Sequence, residues 1–209
     1  MPELKRPYPC VQYGETGSCG GDQNWFADAN FRRCGCGVIA CADTLLYLRG
    51  RTALSREEYI DYVNSLRPYF PLIPYRGIDG MRLAMGMNLC LRREGLALRA
   101  GWSASGRLFW ERLAAMLADN LPVVLSVGPN FPRVWGAEAL ALYRRAEDGG
   151  YVEAERVKAH FLTATGLDGE RIRVSSWGKE FTIERAAYER YMRGSSTALL
   201  TNLLQLRRL

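Results

Sequence analysis

Two residue types in this chain could do nucleophilic chemistry together. The first is cysteine, in Arg33-Cys34-Gly35-Cys36-Gly37-Val38-Ile39-Ala40-Cys41. The second is His160, the only histidine among 209 residues. A thiol in the first turn of a helix sits at the positive end of the helix dipole, where the thiolate is stabilised and its pKa is expected to fall. An imidazole brought beside it would take up the thiol proton and return it later to a leaving group. Gln23, next to Trp25 and Phe26, offers a neutral amide donor suited to a developing oxyanion; Asn24 offers the same group one residue on. Cys34-Gly35 repeats the pattern of Cys36-Gly37, so either thiol could be the reactive one.

A helix must present the cysteine and a strand the histidine. Small or apolar residues recur at Ile39, Ala40, Ala42, Leu45, Leu46 and Leu48, and Gly50 supplies a stop, which predicts a buried helix opening near Cys36. His160 opens the apolar run Phe161-Leu162-Thr163-Ala164-Thr165-Gly166, which predicts a strand. Residues 1 to about 30 read as irregular. Ser55-Arg56-Glu57-Glu58 is a capping box ahead of a helix through Tyr59, Val63 and Leu66. Pro68, Pro71 and Pro74 break the following stretch. Asp79 can cap a helix from Met81 to Glu94 closed by Gly95, with Met81, Met85 and Met87 read as core filler. A short strand is expected over Leu96 to Gly101, and Ser105 precedes a further helix through Phe109, Leu113 and Met116. Strands follow at Val123 to Val127, Val157 to Gly166, Arg171 to Gly178 and Phe181 to Ile183. A helix is expected from Arg185 to Met192, then an apolar segment from Leu199 to Leu206. Ala137 to Arg145 has helical composition, and residues 129 to 156 could form a lid or substrate loop before His160. Helices first and sheet last indicate an α+β fold.

Composition bounds the function. Hydrophobic content of 48% and charged content of 24% are ordinary globular values, so a packed core is expected. The net charge of +6 comes from 28 basic against 22 acidic residues. All the basic residues but Lys5, Lys158 and Lys179 are arginine, and they are scattered without a basic run. A nucleic-acid partner is therefore not expected. No apolar run is long enough to span a bilayer, and no signal-peptide core follows Met1, so no membrane association and a cytoplasmic location are expected. Six cysteines with no secretory signal argue against a disulfide framework. Cys10, Cys19, Cys34 and Cys36 fit no common zinc spacing, and one histidine cannot build a polyhistidine site, so no metal or other cofactor is expected.

Three stretches together carry a family resemblance. Cys36-Gly37-Val38-Ile39-Ala40 with Leu45 to Leu48, His160-Phe161-Leu162-Thr163-Ala164-Thr165-Gly166, and Val174-Ser175-Ser176-Trp177-Gly178 resemble, in family order, the papain-like cysteine peptidase superfamily. They are most similar to its compact branch related to the bacteriocin-processing, double-glycine peptidases. The resemblance spans about residues 23 to 184. It implies a single papain-like domain over 1–209, with an N-terminal helical lobe to about residue 120 and a C-terminal antiparallel β lobe from about 121. It implies Cys36 as nucleophile, His160 as general base and later acid, and Gln23 with the Cys36 backbone N–H as the oxyanion hole. Trp177 would shield His160 from water. The family's orienting Asn or Asp falls on Ser175, a shorter partner for the imidazole. The implied activity is hydrolysis of a peptide or amide bond through an acyl-enzyme, or acyl transfer by the same intermediate. The departure at Ser175 motivates an alternative, a papain-like module that binds a protein or peptide without catalysis.

Overall fold

The computed structural model describes residues 1–13, 16–102, 108–128, 138–197 and 199–209. The first segment is more regular than its glycines and prolines suggest. β1 (Cys10–Tyr13) pairs antiparallel with β2 (Thr16–Gly17) and parallel with β3 (Ala53–Ser55), making a small three-stranded sheet. A single 3-10 turn, Gln23–Trp25, is capped by the Asp22 carboxylate, which accepts from Asn24 N–H. α1 (Ala29–Cys34) is capped by Asp28 and runs straight into α2 (Cys36–Leu48) through Gly35.

α2 is buried on all sides from Gly37 to Tyr47, as a helix apolar around its whole circumference must be. Val38, Leu45 and Leu46 are fully buried, each contributing roughly 1.5–3 kcal/mol of transfer free energy. Gly50 ends the helix in the left-handed conformation, φ 70°. α3 (Arg56–Leu66) begins with the expected reciprocal Ser55–Glu58 capping box. α4 (Gly80–Arg93) begins at Asp79, whose carboxylate accepts from Arg82 N–H. Of the α4 methionines only Met87 is in the core; Met81 and Met85 are exposed.

The second sheet has eight strands, every neighbouring pair antiparallel. These are β4 (Leu98–Trp102), β5 (Val123–Val127), β6 (Leu140–Arg145), β7 (Tyr151–Val157), β8 (His160–Asp168), β9 (Arg171–Ser176), β10 (Lys179–Glu184) and β11 (Leu203–Arg208). Their order is β4-β11-β5-β8-β9-β10-β6-β7. α5 (Phe109–Ala118) and α6 (Arg185–Gly194) complete the described helices, and α2 packs against β8 and β5. One cluster of buried residues runs through all these elements, from Val11 to Leu206. The fold is α+β.

Three expectations need correction. The division near residue 120 is not a boundary for the sheet, because β4 comes from the first half and pairs with β11 at the chain's end. Residues 140–145 form β6 rather than a helix; Leu140 and Leu142 point into the core and alternate with more exposed neighbours, the period of a half-buried strand. Much of the expected 129–156 loop is therefore the β6–β7 hairpin at the sheet edge. Its residues 129–137, and Ser105 before α5, lie outside the described residues. Among the described residues no helix is long and apolar enough to cross a membrane.

Candidate active site

Cys36 is the first residue of α2 and lies half-buried where that helix meets the start of β8. The glycines beside it sit in close packing, Gly35 the more tightly. A Cβ on Gly35 would fall 2.6 Å from the Phe31 carbonyl oxygen, which forbids the tight α1–α2 junction to any other residue. A Cβ on Gly37 would fall 3.1 Å from the Phe161 ring, so the helix is drawn close to the strand that carries His160. The backbone N–H groups of Phe161 and Gly37 face the thiol.

His160 is buried at the head of β8, paired with Val127 of β5. Its Nε2 lies 2.7 Å from Ser176 Oγ at the end of β9. Trp177 stacks on the imidazole, with ring centroids 4.3 Å apart and planes inclined by 23°. Ala159 and Trp177, which flank this pair in sequence, both have positive φ, 53° and 49°. Such backbone costs of order 1–3 kcal/mol per residue and persists where the surroundings over-determine it, as functional sites do.

Ser175 does not meet the histidine. It faces the other way along β9 and donates to the Cys19 carbonyl at 2.7 Å. The orienting hydroxyl is that of Ser176. Successive strand residues point to opposite faces, so a displacement of one position exchanges the two roles.

Gln23 is buried in the 3-10 turn, and its amide donates to the Arg32 carbonyl at 2.6 Å. An amide carries two N–H donors, so this bond fixes the side chain and leaves the second donor for another partner. Gln23, Cys36, Ser175, Ser176 and Trp177 line one cavity of about 10 Å³, room for roughly a single water, and His160 is not among its walls. Asn24 is exposed. Cys34 is buried at the end of α1 rather than at a helix start. Cys36 thus shares the small cavity with Gln23 and a wider cleft with His160, while among the described residues no hydrogen bond joins thiol and imidazole; Asn24 is set aside, and Ser176 rather than Ser175 meets the histidine.

The electrostatics differ from the sequence-based expectation. Burial pushes the Cys36 thiol up to about 11; the N–H groups of Phe161 and Gly37 pull the other way and do not overcome it, and Cys34 adds to the rise. Burial likewise pushes the imidazole of His160 down to about 3. Removal from water disfavours the charged form of either group, so the pair rests as thiol and neutral imidazole.

A cleft of about 730 Å³ opens on one side of Cys36 and His160. Ile73, Ile78, Met81, Trp102, Leu199 and Leu200 give it apolar walls, and Arg33, Arg76 and Lys158 stand with Asp79 around them. Gly80 lets the Trp102 indole lie against α4, since a Cβ there would fall 2.2 Å from the ring. Trp102 Nε1–H donates to the Leu199 carbonyl at 2.8 Å, tying β4 to the segment before β11.

Comparison with known proteins found no matching family model, no similar curated protein and no similar solved structure. Among the described residues no three His, Cys, Asp or Glu side chains converge as metal ligands would.

Proposed function

We propose that this chain is a papain-like thiol hydrolase that cleaves a peptide or amide bond through a Cys36 acyl-enzyme. The observation that carries this is that Cys36, at the start of a buried helix, and an imidazole held at Nε2 by Ser176 line the same cleft. With Nε2–H donating to Ser176 Oγ, Nδ1 is the ring nitrogen left to take a proton. As the Sγ–carbonyl carbon bond forms, the thiol proton passes to Nδ1 and the carbonyl π pair moves onto oxygen. The second N–H of Gln23 and the backbone N–H of Cys36 stabilise that oxyanion. Collapse breaks the C–N bond, and the imidazolium protonates the leaving amine. Water then repeats the sequence, giving up its proton to His160 and releasing the acid with the free thiol. The neutral resting pair suits this order, in which proton transfer accompanies attack. The apolar cleft with its three cations suits a substrate with apolar side chains and a negative charge near the scissile bond.

Acylation by p-nitrophenyl esters of N-acetylated amino acids, read by mass spectrometry with site assignment, is the test. Acyl mass on Cys36 that is lost in His160→Ala is the expected result. Equal acylation of Cys10 or Cys34, or acylation of Cys36 indifferent to His160, would overturn the proposal.

One observation favours the alternative of a non-catalytic binding module: the thiol is pushed up to about 11, far from the low value of an activated cysteine. Under that alternative the esters leave Cys36 unmodified in the wild type.

A further inference from the structure

Asp43 lies on α2 seven residues after Cys36, on the same helix face; Cys36, Ile39, Ala40 and Asp43 all line the small cavity with Gln23. It is an acid on a helix that is otherwise apolar or small through its buried length, save for Thr44 and Tyr47, and it is 2% exposed. Its two carboxylate oxygens accept from Gly21 N–H at 3.2 and 3.1 Å, and Oδ1 also accepts from the Tyr59 hydroxyl at 2.7 Å. The groups that face it are Tyr8 from the N-terminal segment, Cys19 from the loop, Tyr59 from α3 and Cys41 from its own helix, none of them a cation.

The Gly20–Gly21 backbone held by Asp43 leads directly to both halves of the site. Asp22 follows and caps the turn that holds Gln23. The Gly21 carbonyl accepts from Gly178 N–H at 2.9 Å, Cys19 N–H donates to the Gly178 carbonyl at 2.8 Å, and Ser175 Oγ donates to the Cys19 carbonyl. That lacing fixes the turn bearing Ser176 and Trp177, the two residues that hold His160. Gly20 (φ 72°) has no room for a side chain: a Cβ would fall 2.3 Å from Asp43 Oδ2 and 2.7 Å from Ser175 Oγ.

We infer that Asp43 is a positioning residue for the proposed reaction: through Gly21 it sets the loop that places Gln23 at the oxyanion, and its carboxylate form holds that loop more tightly than its acid form. This rests on the thiol-hydrolase proposal and adds to it a carboxylate that touches no substrate. Burial pushes Asp43 up to about 7, against the bonds from Tyr59 and Gly21 that favour the carboxylate. Cys36 and His160 leave the range from pH 5 to 9 clear of their own titrations. A rate limb near pH 7 in this site therefore belongs to Asp43.

The test compares wild type, Asp43→Asn and Tyr59→Phe. The amide introduced by Asp43→Asn is isosteric with the carboxylate and keeps one oxygen for Gly21 N–H, while the Tyr59 hydroxyl can turn to accept from the new NH₂ group, so the fold is retained. Acylation of Cys36 by the p-nitrophenyl esters is expected to rise through pH 7 in wild type. In Asp43→Asn the limb vanishes and the rate at pH 8 falls at least tenfold; displacing an oxyanion donor costs up to the 10²–10³ of deleting one. In Tyr59→Phe the limb moves to higher pH, because a bond that favours the carboxylate is gone. A folded Asp43→Asn protein with the wild-type rate and limb overturns the inference. Independently of turnover, the Gly21 backbone amide proton should titrate by NMR with a midpoint near 7 in wild type and stay flat in Asp43→Asn. An amide that does not titrate in wild type overturns the inference even if the enzyme is active. An inactive wild type with a titrating amide removes the hydrolase proposal and leaves the Asp43–Gly21 coupling standing without a reaction to serve.

Discussion

His160 Nε2 and Ser176 Oγ are 2.7 Å apart, both buried, at the adjoining ends of β8 and β9. On the proposed mechanism the serine sets which imidazole nitrogen is left for the thiol, so its loss should cost rate rather than fold. Ser176→Ala is expected to lower acylation of Cys36 by about tenfold to a hundredfold, the scale of a mis-set general base. Ser175→Ala removes only the bond to the Cys19 carbonyl and should cost about 1 kcal/mol of stability with a smaller loss of rate. Ester acylation and thermal unfolding of both variants separate the two. A larger rate loss in Ser175→Ala would put the orienter back where the family motif has it.

That one-residue exchange marks how far the sequence could be read. The helix opening at Cys36, the capping box at Ser55 and Glu58, the Asp79 cap and the strand opening at His160 were legible, because each has a local signature of periodicity or caps. Ser175 and Ser176 have none. Their faces depend on the β8–β9 register, which is irregular between Ala164 and Gly166; an irregularity of that kind reverses which residue faces the site and leaves no mark in composition. The β6 strand was hidden for another reason. Leu140-Ala141-Leu142-Tyr143-Arg144-Arg145 has helix-forming residues, and pairing with β7 and β10 overrides that propensity. Asp43 did leave a trace, a lone acid seven residues after Cys36 in an apolar helix. The raised thiol was not legible at all, since burial is a property of the packed molecule.

Asp43 and His160 oppose each other in their effect on stability. Asp43 is held up at about 7 in the fold against an ordinary 3.8. Between those values the unfolded chain has released a proton that the fold keeps, so this group's contribution is lost as pH rises through 7. His160 is held down at about 3 against an ordinary 6.5. There the unfolded chain binds a proton that the fold refuses, so stability is lost as pH falls below 6.5. Each slope is at most about 1.4 kcal/mol per pH unit, and the two nearly cancel where the windows overlap. From pH 4.5 to 6.5, Asp43→Asn should gain on wild type by up to roughly 2–3 kcal/mol, and His160→Gln should lose on it by a similar amount. Urea midpoints at the two pH values check this; parallel shifts in all three proteins would contradict it.

The Trp177 ring lies over His160 and helps keep it from water. Because His160 is the only histidine, its Hε1 resonance is unambiguous in an NMR spectrum. Wild type should show no titration of that proton from pH 5 to 8. In Trp177→Ala, water reaches the ring and the midpoint should climb toward the ordinary 6.5. An unmoved midpoint would mean that β8 and α2 alone desolvate the imidazole.

The geometry of the Gly20 loop can be tried without any reference to catalysis. Gly149 and Gly20 both adopt positive φ, 84° and 72°. Around Gly149 nothing would meet a Cβ within 4 Å, whereas at Gly20 the added atom meets Asp43 and Ser175. Gly149→Ala therefore costs only the left-handed backbone, about 1–2 kcal/mol, less the 0.4–1 kcal/mol recovered from a stiffer unfolded chain. Gly20→Ala carries the same cost and adds overpacking of typically 1–3 kcal/mol against a buried carboxylate that cannot retreat into α2. Its loss should shrink in the Gly20→Ala, Ser175→Gly double variant, where one of the two obstructing oxygens is gone, and it should not shrink when Gly20→Ala is paired with a distant change such as Gly149→Ala. A coupling near zero between positions 20 and 175 in a double-mutant cycle would mean that the loop does not pass between Asp43 and β9, and the path from Asp43 to the His160-bearing turn would be lost with it.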